Sequence, residues 1–72
     1  MNETDITIID NVSADTLEVG DQAIIEGDYV IIRSIHETDD IDEIVVKVEN
    51  LSDPTETEFS LFADDYYDIW AL

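Results

Sequence analysis

Short runs of β-branched residues, each ended by turn formers, constrain this chain more than any other feature. Eleven Ile and six Val are spread through 72 residues, and such side chains suit the pleated, half-buried surface of a strand. Gly27-Asp28, Ser52-Asp53-Pro54 and Ala63-Asp64-Asp65 punctuate the runs, and residues of these types mark turns. No segment carries the 3.6-residue apolar period of an amphipathic helix. The chain therefore reads as six short strands, over residues 4–10, 22–26, 29–37, 42–51, 55–62 and 66–71. Residues 11–21 form a long connection in which Leu17 and Val19 are the expected inward anchors. A chain of this length is one domain, residues 1–72.

The phase of the central hairpin can be argued residue by residue. Ile44, Val46 and Val48 alternate with Glu43, Val45, Lys47 and Glu49, so the first set faces the core. In the preceding strand Val30 and Ile32 keep that phase, but the next apolar residue is Ile35. A bulge at Arg33-Ser34 restores it. The predicted pairs are Val30 with Val48, Ile32 with Val46 and Ile35 with Ile44. Glu37 then faces Asp42 across a loop of Thr38-Asp39-Asp40-Ile41, and His36 points outward opposite Glu43. Like charges directly opposite one another are unfavourable, so the hairpin tip is expected to be mobile unless a positive group sits there.

The run Leu17-Glu18-Val19-Gly20-Asp21, followed by Gly27, Tyr29-Val30 and a bulged strand ending at Ile35, resembles the entry of small SH3-like β-barrels. In those folds a Leu-x-x-Gly-Asp turn often leads into the first barrel strand. The resemblance covers most of the chain in strand spacing. It implies an all-β fold, a small antiparallel SH3-like barrel of five to six strands, and it sets no function.

Charge narrows the function classes. Twenty residues are Asp or Glu, and only Arg33 and Lys47 oppose them, for a net charge of −18. Nucleic-acid backbones are held by Lys and Arg neutralising phosphates, so direct nucleic-acid binding is excluded, and anionic membrane surfaces repel such a chain. Acidity does not mean disorder here. Leu, Ile, Val and Phe make up 23 of the 72 residues, well above the fraction of about 20% that marks disordered chains. There is no Cys, so neither a disulfide framework nor a thiolate site is available. No apolar run approaches a membrane span. The start Met1-Asn2-Glu3-Thr4-Asp5 is acidic, where a signal or transit peptide is basic, and the expected location is the cytoplasm.

Little in the sequence suggests catalysis, and the chain is not expected to be an enzyme. His36 is the only His, and Gly20 and Gly27 are the only glycines, so a glycine-rich phosphate loop cannot form. Carboxylate pairs lose diagnostic value among twenty acids. Glu37, Asp39, Asp40, Asp42 and Glu43 place five carboxylates in seven residues. Oxygen-rich loops bind Ca²⁺ or Mg²⁺, but the Asp-x-Asp-x-Asp-Gly register of an EF-hand is missing. Neither a metal nor a cofactor is expected.

The exclusion of Lys and Arg is the most informative feature, because ordinary surfaces mix both signs. Five acids sit at the hairpin tip; Glu56 and Glu58 alternate with Thr55 and Thr57; Asp64, Asp65 and Asp68 follow. Rows of carboxylates on a β scaffold can stand in for successive phosphates. The expected function is a nucleic-acid mimic that occupies the basic groove of a DNA- or RNA-binding protein. Compact acidic proteins of this kind resemble phage-encoded inhibitors of host defence, restriction or transcription, which act in the host cytoplasm. One alternative is an ordinary salt-adapted acidic domain. Another is a structural or adaptor module docking through Tyr66 and Trp70. That docking needs an outward Trp70, whereas in so small a domain the core claims most large aromatics. Unpaired strand edges, with Ile31 and Val45 expected to be exposed, leave room for a homodimer.

Overall fold

A computed structural model describes residues 6–52 and 56–72. The start of the first predicted strand at residues 4–5, the break at Asp53-Pro54 and the fifth strand's start at residue 55 lie outside the described residues. The elements are β1 (Thr7–Ser13), a 3₁₀ turn (Ala14–Thr16), β2 (Gln22–Ile25), β3 (Asp28–Glu37), β4 (Glu43–Asn50), β5 (Glu56–Phe62) and β6 (Tyr66–Ala71). All six strands pair antiparallel in one sheet, in the order β1-β6-β2-β3-β4-β5. Among the described residues, β1 and β5 are the two ends of that order. One main-chain bond, from Asp15 to Ala63, links the segments that follow these two end strands, and its two neighbours continue the β1–β6 and β4–β5 ladders. The Ala14 N–H donates to the Asp65 carbonyl (2.8 Å), the Asp15 N–H to that of Ala63 (3.1 Å), and the Ala63 N–H to that of Asp42 (2.7 Å).

Turn chemistry explains where the strands stop. Glu26 and Gly27 both have positive φ, 51° and 83°, and they form the two-residue connection between Ile25 and Asp28, which pair with each other. Two positive φ values match the twist of the flanking strands. The turn thus falls one residue earlier than the expected Gly27-Asp28. Gly20 sits at φ 95° in a turn closed by the Asp21 N–H on the Glu18 carbonyl (3.0 Å). The Asp21 carboxylate accepts from the Glu18 N–H (2.8 Å). The Gly20 N–H then donates to the Ile32 carbonyl and the Ile32 N–H to that of Asp21, which ties the turn to β3. Leu17 is buried as expected, but Val19 is 64% exposed. It lies within the turn, which turns its side chain to solvent.

The bulge in β3 falls at Arg33, between Ile32 and Ser34. The pairing itself differs from expectation by two residues: Ile32 faces Val48, Ile35 faces Val46 and Val30 faces Asn50. A slip of two leaves every side chain on its face, so Val30, Ile32, Val46 and Val48 are all fully buried. The reason lies in the loop. The Asp40 N–H donates to Thr38 Oγ1 (3.1 Å), the Asp42 N–H to Asp40 Oδ1 (3.0 Å), and the Glu43 N–H to the Asp40 carbonyl (3.1 Å). Local Asp and Thr bonds of this kind compete with ladder pairing. They lengthen the tip by consuming Asp42. Glu37 consequently faces Ile44, His36 faces Val45, and the expected Glu37–Asp42 repulsion across the strands is avoided. The tip carries its own hydrogen bonds.

The core joins Ala14, Leu17, Ala23, Ile25, Val30, Ile32, Ile44, Val46, Val48 and Leu61. Ile31 and Val45, expected to be exposed, are half-buried. Trp70 is 1% exposed. Its Nε1–H donates to the Ala23 carbonyl (2.9 Å), and its ring meets Tyr29 edge to face at 6.0 Å. An outward Trp70 is therefore corrected: β6 pairs with both β1 and β2, and this placement encloses the indole. No helix among the described residues is long and apolar enough to cross a membrane.

Candidate acidic interface

Two groups of acidic residues stand out by their surroundings, and Asp10, Glu18, Asp21, Glu26 and Asp28 belong to neither. On the outer face of β3, β4 and β5 lie both cations of the chain. Arg33 donates from Nε (3.1 Å) and Nη2 (2.8 Å) to Glu49 Oε1. Lys47 stands opposite Glu58, and Glu49 opposite Glu56. Glu56 and Glu58 thus sit on the face that contains the chain's own positive charges. Asp68 is also set apart. It is half-buried and accepts from Asn11 Nδ2 (2.8 Å).

The second group gathers at one end of the molecule. The β5–β6 turn carries Asp64 and Asp65, and its Ala63 bonds both Asp42 of the β3–β4 loop and Asp15 of the 3₁₀ turn. Tip residues Glu37, Asp39, Asp40, Asp42 and Glu43 therefore share one end with Asp15, Asp64 and Asp65. Seven of these eight carboxylates are exposed and Glu43 is half-buried. Lys47 lies four residues along β4 from Glu43, about 13 Å at strand rise. That exceeds the screening length of about 8–10 Å at moderate salt, so the charge of Lys47 offsets that of the tip only weakly.

A cleft of about 450 Å³ opens among these acids. Its apolar walls come from Ala14, Leu17, Ile35, Ile44 and Ala63, and its acidic rim from Asp15, Glu37, Asp39, Asp40 and Glu43. Ile41 stands at its mouth, 90% exposed. Phe62 and Tyr66, both exposed, flank the same β5–β6 turn. Tyr67 lies behind it, and its pKa is raised by burial first, then by the negative charges of Asp65 and Glu26.

Of the eleven residues singled out from the sequence, the five tip acids, Asp64 and Asp65 come together. Glu56, Glu58 and Asp68 lie elsewhere, and Trp70 is interior. Asp15, Ile41 and the cleft itself were missed. Asp15 sits in what read as a plain connection, and only the chain's return at Ala63 makes it a neighbour of the tip. Among the described residues no group of three or more His, Asp or Glu is placed to hold a metal ion. No family model, curated protein or solved structure matches the chain.

Proposed function

We propose that this chain is an acidic binding module that docks its carboxylate-rich end on a cationic protein surface, and that the surface is one that otherwise holds nucleic-acid phosphates. The observation that carries the reading is the concentration of eight carboxylates at one end, none of which forms an ion pair with Arg33 or Lys47 among the described residues. Uniform acidity would not favour it. B-DNA carries a charge about every 1.7 Å, so duplex as long as the 41 Å long axis outcharges a net −18. Local clustering, rather than overall charge, supplies the resemblance to a phosphate row. Such a mimic acts in the cytoplasm, by competing with nucleic acid for an inhibited DNA- or RNA-binding protein. A phage-encoded inhibitor fits this reading. The adaptor alternative loses its main anchor with Trp70 buried.

The test is capture from nuclease-treated lysate at about 0.1 M salt, where screening reaches about 10 Å. The eluted partner is then titrated with duplex and single-stranded DNA and with RNA. The reading predicts a nucleic-acid-binding partner that is released both by salt and by one of these competitors. It also predicts that the variant Asp39→Asn/Asp40→Asn/Asp42→Asn loses most of that binding while keeping its fold. A partner that resists salt and ignores nucleic acid refutes it.

A further inference from the structure

The cleft beside the tip combines two features that long-range charge mimicry does not need. Its walls are apolar and its rim is acidic. A volume of about 450 Å³ lies in the range of small-ligand pockets, about 300–1,000 Å³. Long cationic side chains have this same construction in reverse, with methylene stems that lie along apolar surface and a charged head that seeks carboxylates. Lysine and arginine differ in the head. Guanidinium is planar, less strongly hydrated than ammonium, and forks onto carboxylate oxygens.

We propose that this cleft is a receptor for an arginine side chain projecting from a basic segment of the partner protein. Its stem lies against Ile35, Ile44 and Ala63, and its guanidinium meets the carboxylates of Asp15 and Glu37. The inference rests on the reading above that the partner surface is cationic, and it adds the side chain that is recognised. Charge complementarity selects the occupant. The rim is acidic, and neither Arg33 nor Lys47 lines the cleft. Burial of Ile44 and half-burial of Ile35 fix the walls within the sheet, so the receptor is built before the partner arrives. Asp15 is brought to the rim by its own N–H bond to Ala63. A second copy of the chain is the wrong occupant, since it brings −18 of its own.

The experiment uses the intact chain and two peptides of equal charge, one with three arginines spaced by glycine and one with three lysines so spaced. Binding is followed by anisotropy and by the methyl NMR signals of Ile35 and Ile44. The arginine peptide is expected to bind more tightly and to shift both methyl signals. Asp15→Asn/Glu37→Gln is expected to weaken it about tenfold, as loss of charged hydrogen bonds does, and charge-matched Glu56→Gln/Glu58→Gln less than twofold. Ala63→Leu narrows the cleft without changing charge and is expected to abolish the arginine preference; circular dichroism confirms that it folds. Equal binding of both peptides, unmoved Ile35 and Ile44 signals, and equal effects of the two charge-matched variants overturn the arginine receptor while leaving charge mimicry standing. If neither peptide binds at about 0.02 M salt, where screening is weakest, the cationic-partner reading fails as well.

Discussion

Replacing Trp70 by Phe tests whether this indole is structural. Trp70 is 1% exposed, its Nε1–H reaches the Ala23 carbonyl at 2.9 Å, and its ring meets Tyr29 at 6.0 Å and 90°. Phe keeps an aromatic ring but has no N–H. The buried carbonyl loses that donor, which costs about 1–3 kcal/mol. The smaller ring leaves a void that adds about 1 kcal/mol. The total of about 2–4 kcal/mol is a large part of the roughly 4–11 kcal/mol available to a domain of this size. Urea unfolding followed by far-UV circular dichroism gives the answer, because the signal does not depend on the removed indole. With an m-value of about 1 kcal/mol/M, the midpoint is expected to fall by about 2–4 M with m unchanged. A fall of less than about 0.5 M refutes the reasoning. It would mean that the indole is not enclosed, and it would return Trp70 to the candidate contact surface.

Three other outcomes follow from named features. Glu26 occupies a positive-φ position beside Gly27, so Glu26→Asn creates the favoured Asn-Gly pair and is expected to stabilise the chain by about 1 kcal/mol, read by the same urea titration. The raised pKa of Tyr67 means the folded state holds that phenolic proton more tightly. Its contribution is therefore complete below about pH 10, the ordinary tyrosine value, and is lost as pH rises through the higher folded value. Ultraviolet titration of the phenolate should show Tyr67 ionising above the ordinary tyrosine value, and Glu26→Asn, which removes only the smallest of the three causes, should lower it slightly. Because acids outnumber bases twenty to two, added salt should raise the melting temperature steeply up to about 0.15 M and then level off. A requirement for molar salt would instead mark a salt-adapted domain.

Much of the fold was legible from local chemistry. Alternating Ile44, Val46 and Val48 announced the core face of β4, and the misplaced Ile35 announced the bulge near Arg33. The last strand falls at Tyr66–Ala71, as its residues suggested. Other features were hidden because they depend on bonds between distant segments. Asn11 and Ser13 look like turn residues, yet β1 continues through them by pairing with Asp68 and Tyr66. An edge strand tolerates them because, among the described residues, no strand pairs with its outer side. The two-residue difference in hairpin pairing escaped alternation altogether, since both registers bury the same side chains.

Period and composition thus determined the central strands with their buried faces, the all-β class and the excess of negative charge, because each follows from a residue and its near neighbours. Tertiary structure decided which charges matter together. It placed Asp15, the β3–β4 tip and the β5–β6 turn at one end through the bonds of Ala63, left Glu58 facing Lys47, and chose the interior for Trp70. Those outcomes turn on how an antiparallel sheet brings back segments far apart in sequence, and no local pattern encodes that return.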